Sequence, residues 1–144
     1  MQRALSILAL AVMVAGIWGL YFTRALFSGS PVVISFQVFG FLLMIWARVT
    51  FGRRSFHAAA NPTAGGLVRT GPYRYLRHPI YTAVLLFTWP PAINSGLPLA
   101  LAFAALVSAG AVIRMLCEEY LLVQQYPDYR DYAGTTKRMI PFVF

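Results

Sequence analysis

Long apolar runs separated by short polar stops dominate this chain. No Asp, Glu, Lys or Arg occurs over residues 4–23, 25–47 or 79–113, and a helix needs about 20 apolar residues to cross a bilayer. The first two runs predict one membrane span each. Between them FSGSP, residues 27–31, has the Gly, Ser and Pro of a turn, and Pro31 suits the first position of the following helix. The third run is 35 residues long, too long for one span, and is broken by WPPAINSGLP, residues 89–98. It predicts a hairpin, with a short helix over 79–89 and a long one from Pro98 to beyond Tyr120. The expected fold class is an all-α membrane protein with about four transmembrane helices, forming one domain over residues 1–144. The first apolar stretch follows Arg3 as a secretory signal would, but it runs on to Thr23 without a convincing cleavage site. It is expected to remain as an anchor.

Composition agrees with the pattern. The chain is 59% hydrophobic and 11% charged, with a mean hydropathy of +0.65, outside the range of ordinary soluble domains. Its net charge of +8 needs no nucleic acid to explain it, because the basic residues flank spans and can meet anionic headgroups. Arg48, Arg53, Arg54, Arg69, Arg74 and Arg77 lie between the second and third apolar helices, and Arg114, Arg130, Lys137 and Arg138 follow the apolar part of the fourth. The positive-inside rule then puts both termini and the middle loop in the cytoplasm. A multi-pass integral membrane protein is expected. The lone Cys117 has no partner for an internal disulfide, and no Cys/His spacing marks a metal site.

The chemistry-bearing residues are unevenly distributed. Residues 1–47 read as anchor, whereas segments 48–78 and 114–144 hold every Asp, Glu and His and all but two of the basic residues. In the first segment, NPTAGGLVRTGPYRYLRHP, residues 61–79, joins turn-forming Gly and Pro to spaced aromatics. Pro79 can start a helix, which puts His78 at its N-terminal cap, where free N–H groups favour an anion. Arg74 and Tyr75 read as headgroup and interface contacts. His78 and Tyr81, one turn apart at the mouth of the helix, read as functional. In the second segment Arg114 and Glu118 share a helix face, while Glu119 points elsewhere. A charge at the position of Arg114 costs about 2.5 to 3.5 kcal/mol if it lies deep. Site and surface ion pair remain equally open for it on this ground alone. Carboxylates suit an ammonium or ribose hydroxyls, tyrosine faces suit a cation or adenine, and open amides suit a carboxylate. S-adenosylmethionine fits this inventory, which does not single it out.

GGLVRTGPYRYLRHPIY, followed by EEYLLVQQYPDYRDYAGTTKRMIP, closely resembles the isoprenylcysteine carboxyl methyltransferases and the related membrane phospholipid methyltransferases. The resemblance covers roughly residues 51–144. It implies S-adenosylmethionine-dependent methyl transfer at the cytoplasmic face, in a pocket formed by the middle loop and the C-terminal segment of the catalytic part, 48–144. Carried over by position, the cofactor contacts would be Leu67, Val68, Tyr73, His78, Pro79, Ile80, Tyr81 and Glu118, with Glu119 beside them. Arg114 would hold the acceptor, and Arg114 and Glu118 would be the catalytic pair, with no metal. The family often has Gly where this chain has Ala83. The expected acceptor is lipophilic, an isoprenylcysteine-type carboxylate or alternatively a phospholipid amine, and the partners are membrane lipids. Two other classes stay open: a sterol-reductase-like enzyme using NADPH, and a non-enzymatic membrane scaffold.

Overall fold

The computed structural model describes residues 1–52 and 66–140. Arg53, Arg54 and the first part of the loop motif, residues 61–65, lie outside the described residues. The elements are α1 (Gln2–Phe22), α2 (Pro31–Phe51), a 3-10 turn (Gly71–Arg74), α3 (Pro79–Ser95), α4 (Pro98–Gln125) and α5 (Tyr129–Thr135). Among the described residues there is no strand, and the one isolated bridge joins Leu76 to Lys137 in parallel. The all-α expectation holds.

Three helices, α1, α2 and α4, are long and apolar enough to cross a membrane. Pro stands at the start of α2, α3 and α4, where its fixed φ suits a helix and its missing N–H costs nothing. α3 is expected to stop at Trp89 but runs to Ser95, carrying Pro90 and Pro91 inside it. A proline cannot donate to the carbonyl four residues earlier, which for Pro91 is that of Phe87. The Gln37 amide on α2 donates to that oxygen at 3.2 Å and to the Leu26 carbonyl at 2.8 Å. An orphan carbonyl within an apolar bundle is thus given a partner, and the helix continues. Gly96, in a left-handed conformation at φ 67°, ends α3 before Pro98 begins α4.

α1 packs along α4, α2 along α3, and the α3–α4 contact joins the two pairs. Small residues set the first of these contacts. A Cβ added to Gly16 would lie 2.9 Å from the Phe103 carbonyl oxygen and 2.7 Å from Val107 Cγ2; at Gly110 it would meet the Ala9 carbonyl oxygen at 2.7 Å. Close backbone approach of this kind is how helices associate where lipid removes the hydrophobic drive. It also brings the start of α1 beside the last turns of α4. At about 1.5 Å per residue the 28 residues of α4 reach about 42 Å, more than the ~30 Å hydrocarbon core. Its last two turns, beginning at Glu118, can therefore leave the apolar layer.

Gly16→Leu is expected to lower the melting temperature of the detergent-purified protein, at a cost of about 1–3 kcal/mol or more, because the colliding atom is backbone and cannot rotate away. Gly29→Ala, which meets nothing within 4 Å, should melt with the parent. Equal melting of all three proteins in a thermal scan would refute the close α1–α4 contact.

Candidate functional site

The site forms where α3 begins and α4 leaves its apolar run. Pro79 is buried at the first position of α3, and the backbone N–H of His78 is held outside the helix by the Arg138 carbonyl at 2.9 Å. That bond is part of a strap. Arg77 N donates to the Lys137 carbonyl at 2.7 Å, and the Thr82 hydroxyl donates to the Met139 carbonyl at 2.7 Å. The C-terminal segment thus fixes the Arg77–Pro79 turn against α4. Met139 packs with Tyr81 and Met115 in one apolar cluster.

Two carboxylates on α4 organise the charged groups. Glu118 Oε1 accepts a hydrogen bond from the Tyr81 hydroxyl at 2.5 Å and lies 3.4 Å from Arg114 Nε; its Oε2 is 3.6 Å from His78 Nδ1. Glu119 takes Arg77 Nε at 3.0 Å, His78 Nε2 at 3.4 Å and Arg138 Nε at 3.1 Å. His78 therefore bridges both carboxylates, one from each ring nitrogen. Its ring also stacks on Tyr81, with centroids 5.8 Å apart. Arg114 is 7% exposed, and its second tie is to α1, through the Ser6 carbonyl at 3.3 Å.

Burial works against a charge on His78, but the hydrogen bonds and charges of Glu118 and Glu119 outweigh it and hold the imidazole above its ordinary value. The phenol of Tyr73 is pushed up by burial and then by the charge of Glu118. Tyr132 is pushed up to about 12, mainly by burial. These phenols stay protonated near neutral pH and serve as donors. Tyr132 donates to the Tyr73 carbonyl at 2.6 Å, which ties α5 to the 3-10 turn.

The structure brings His78, Tyr81, Arg114, Glu118 and Glu119 into one network, with Tyr73 within reach of the Glu118 charge. Leu67 and Val68 are half-buried in the coil before the 3-10 turn, and Ile80 is half-buried one residue past Pro79. Arg74 and Tyr75 are exposed, as an interface contact requires. Arg77, Arg138 and Ser6 enter the network without having been expected there. Among the described residues no group of three or more His, Cys, Asp or Glu side chains is arranged to hold a metal ion.

Comparison with known proteins gives a family. The profile of the phospholipid methyltransferases matches residues 34–129, starting inside α2 rather than at residue 51 and ending at the first residue of α5. A nickel-cobalt-cadmium resistance protein, NccN, of Alcaligenes xylosoxydans xylosoxydans is 40% identical over 80 residues, which are 52% of this chain and 36% of that protein. The chain thus spans about a third of that relative's length. No solved structure matches. The chain belongs to the phospholipid methyltransferase family.

The bridging position of His78 makes a pH prediction. A residue charged more readily in the fold than in the open chain contributes stability that is complete below its unfolded value of about 6.5 and is lost as pH rises through the raised value. The charged groups around it are Glu118, Glu119 and, through Glu119, Arg77 and Arg138. The melting temperature should therefore fall as pH rises above about 6.5, and His78→Gln should flatten the curve. A parent curve already flat there would show that the imidazole is not held charged.

Proposed function

We propose that this member of the phospholipid methyltransferase family is an S-adenosylmethionine-dependent methyltransferase of the membrane surface, with its site on the cytoplasmic side and a lipophilic acceptor. The observation that carries this is the Glu118 cluster: one carboxylate on α4 meeting His78 and Tyr81 from the start of α3 and Arg114 from its own helix. The donor set suits the cofactor. Glu118, with its side chain 26% exposed, retains an open edge for hydroxyl or ammonium donors. The half-buried coil at Leu67 and Val68 offers backbone and apolar contact, and Pro79 and Ile80 continue that wall.

When bound, the cofactor supplies an activated methyl group on a sulfonium. The protein's part is placement and electrostatics, and well-placed reactants gain about 7–11 kcal/mol over free ones. His78 and Tyr81 fix Glu118. Arg114, tied to Ser6 and Glu118, presents a guanidinium to an anionic acceptor at the edge of the apolar layer. A carboxylate acceptor is ionised at neutral pH and has no proton to lose. That matches a site whose carboxylates are both engaged by cations, Glu118 by Arg114 and Glu119 by Arg77 and Arg138. A prenylcysteine-type carboxylate is the acceptor class this favours. The family match favours a second reading, a phospholipid amine, for which Glu118 or Glu119 would have to take up the proton.

Titration calorimetry with S-adenosylhomocysteine should give micromolar binding by the parent, weakened at least about tenfold by Glu118→Gln, since hydrogen bonds to a charged group contribute about 1.5–3 kcal/mol. Arg114→Lys should keep that binding and raise the KM for the acceptor about tenfold, because an ammonium cannot reproduce the guanidinium fork. Labelled methyl transfer to prenylcysteine analogues and to phosphatidylethanolamine decides between the two acceptors. No binding by protein that melts cooperatively would overturn the proposal.

A further inference from the structure

A second recess lies at the same end of the bundle. It is an open groove of about 670 Å³ between the last turns of α4, α5 and the strap, and its lining includes none of His78, Tyr81, Arg114 or Glu118. One end is polar, with Arg77, Arg138 and Glu119. The other is an apolar strip of Leu116, Tyr120 and Val123 on one face of α4, and Val112, one turn before Leu116, extends that face into the membrane span. All four side chains are exposed in part. Tyr129 lines the recess and is 2% exposed; its hydroxyl lies beside the Glu119 carboxylate but makes no hydrogen bond of good geometry. A buried hydroxyl left poorly paired costs up to about 1–3 kcal/mol. A better-placed acceptor can come from a ligand in the recess.

We propose that this recess binds an anionic phospholipid, its phosphodiester at Arg138, Arg77 and the Tyr129 hydroxyl and one acyl chain running from Leu116 along Val112 into the membrane, with Tyr120 and Val123 walling the headgroup. Two guanidiniums against one carboxylate favour an anion, and Arg138, with its side chain 35% exposed, is reachable from the interface. The Tyr129 hydroxyl donates to a phosphate oxygen. A lipid is favoured over a soluble phosphate because the strip leads out of the recess onto the apolar face of a span. Occupancy would bear on the neighbouring site through Glu119, which Arg138 and His78 share.

The test is thermal unfolding of delipidated protein in phosphatidylcholine micelles titrated with phosphatidylglycerol. The parent should be stabilised in a saturable manner. Arg138→Gln should weaken the apparent affinity about tenfold and Tyr129→Phe severalfold, as loss of a charge-assisted hydrogen bond implies. Without phosphatidylglycerol, Tyr129→Phe should melt close to the parent, because its hydroxyl makes no hydrogen bond of good geometry within the protein. The proposal fails if the parent shows no shift or if both variants keep the parent's affinity. It also fails if glycerol 3-phosphate at equal concentration reproduces the shift, which would make the recess a site for a soluble anion.

Discussion

A carboxylate taken out of water must be paired, and Glu119 meets that constraint with three cationic groups from two other segments. Arg77 and His78 come from the turn before α3, and Arg138 comes from the strap after α5. Removing one partner of a buried ion pair typically costs about 3–5 kcal/mol, whereas the intact pair contributes little net stability. The arrangement is thus better understood as fixing geometry than as stabilising the fold. It forces residues 60 positions apart to meet at one point on α4, and the backbone bonds of the strap follow from that meeting.

The apolar body serves this end of the molecule. Close contact at Gly16 and Gly110 sets α1 against α4, and their antiparallel course brings the carbonyl of Ser6 to Arg114. On the other side, Gln37 supports α3 where Pro91 leaves a carbonyl unpaired. Without that support the Trp89–Ser95 part of α3 would have little reason to stay helical, and α3 would offer less surface to α2. Trp89 also bonds across to Ser108 at 2.8 Å, whereas Thr88 and Ser108 donate back to carbonyls of their own helices.

Much of this was legible along the chain because bilayer thickness imposes a length that hydropathy reports directly. The starts of α2, α3 and α4 were marked by proline, and the shared face of Arg114 and Glu118 follows from helical spacing. The local pattern ends α3 at Trp89, short of Ser95, since a Pro-Pro pair signals a break unless a distant side chain replaces the lost bond, and Gln37 lies 50 positions from Phe87. Local pattern carries no trace of such a pairing. For the same reason Glu119 could be seen to point away from Glu118 but not toward what. Arg77 and Arg138 resemble the other basic residues that flank spans, and only the strap distinguishes them. α5 was too short, at seven residues, for periodicity to reveal.

His78 connects these levels. Its backbone N–H is taken by the strap, its carbonyl accepts from the first turn of α3, and its two ring nitrogens face two carboxylates of a neighbouring helix. A neutral imidazole has one donor nitrogen and so could satisfy only one of them; the charged form donates to both. Burial opposes a charge there, but Glu118 and Glu119 together favour the charged form and raise the imidazole above its ordinary value. Methyl transfer, the chemistry of the family, depends on placing groups and stabilising charge, and a network that locks two carboxylates, a histidine and three arginines into one geometry is suited to that.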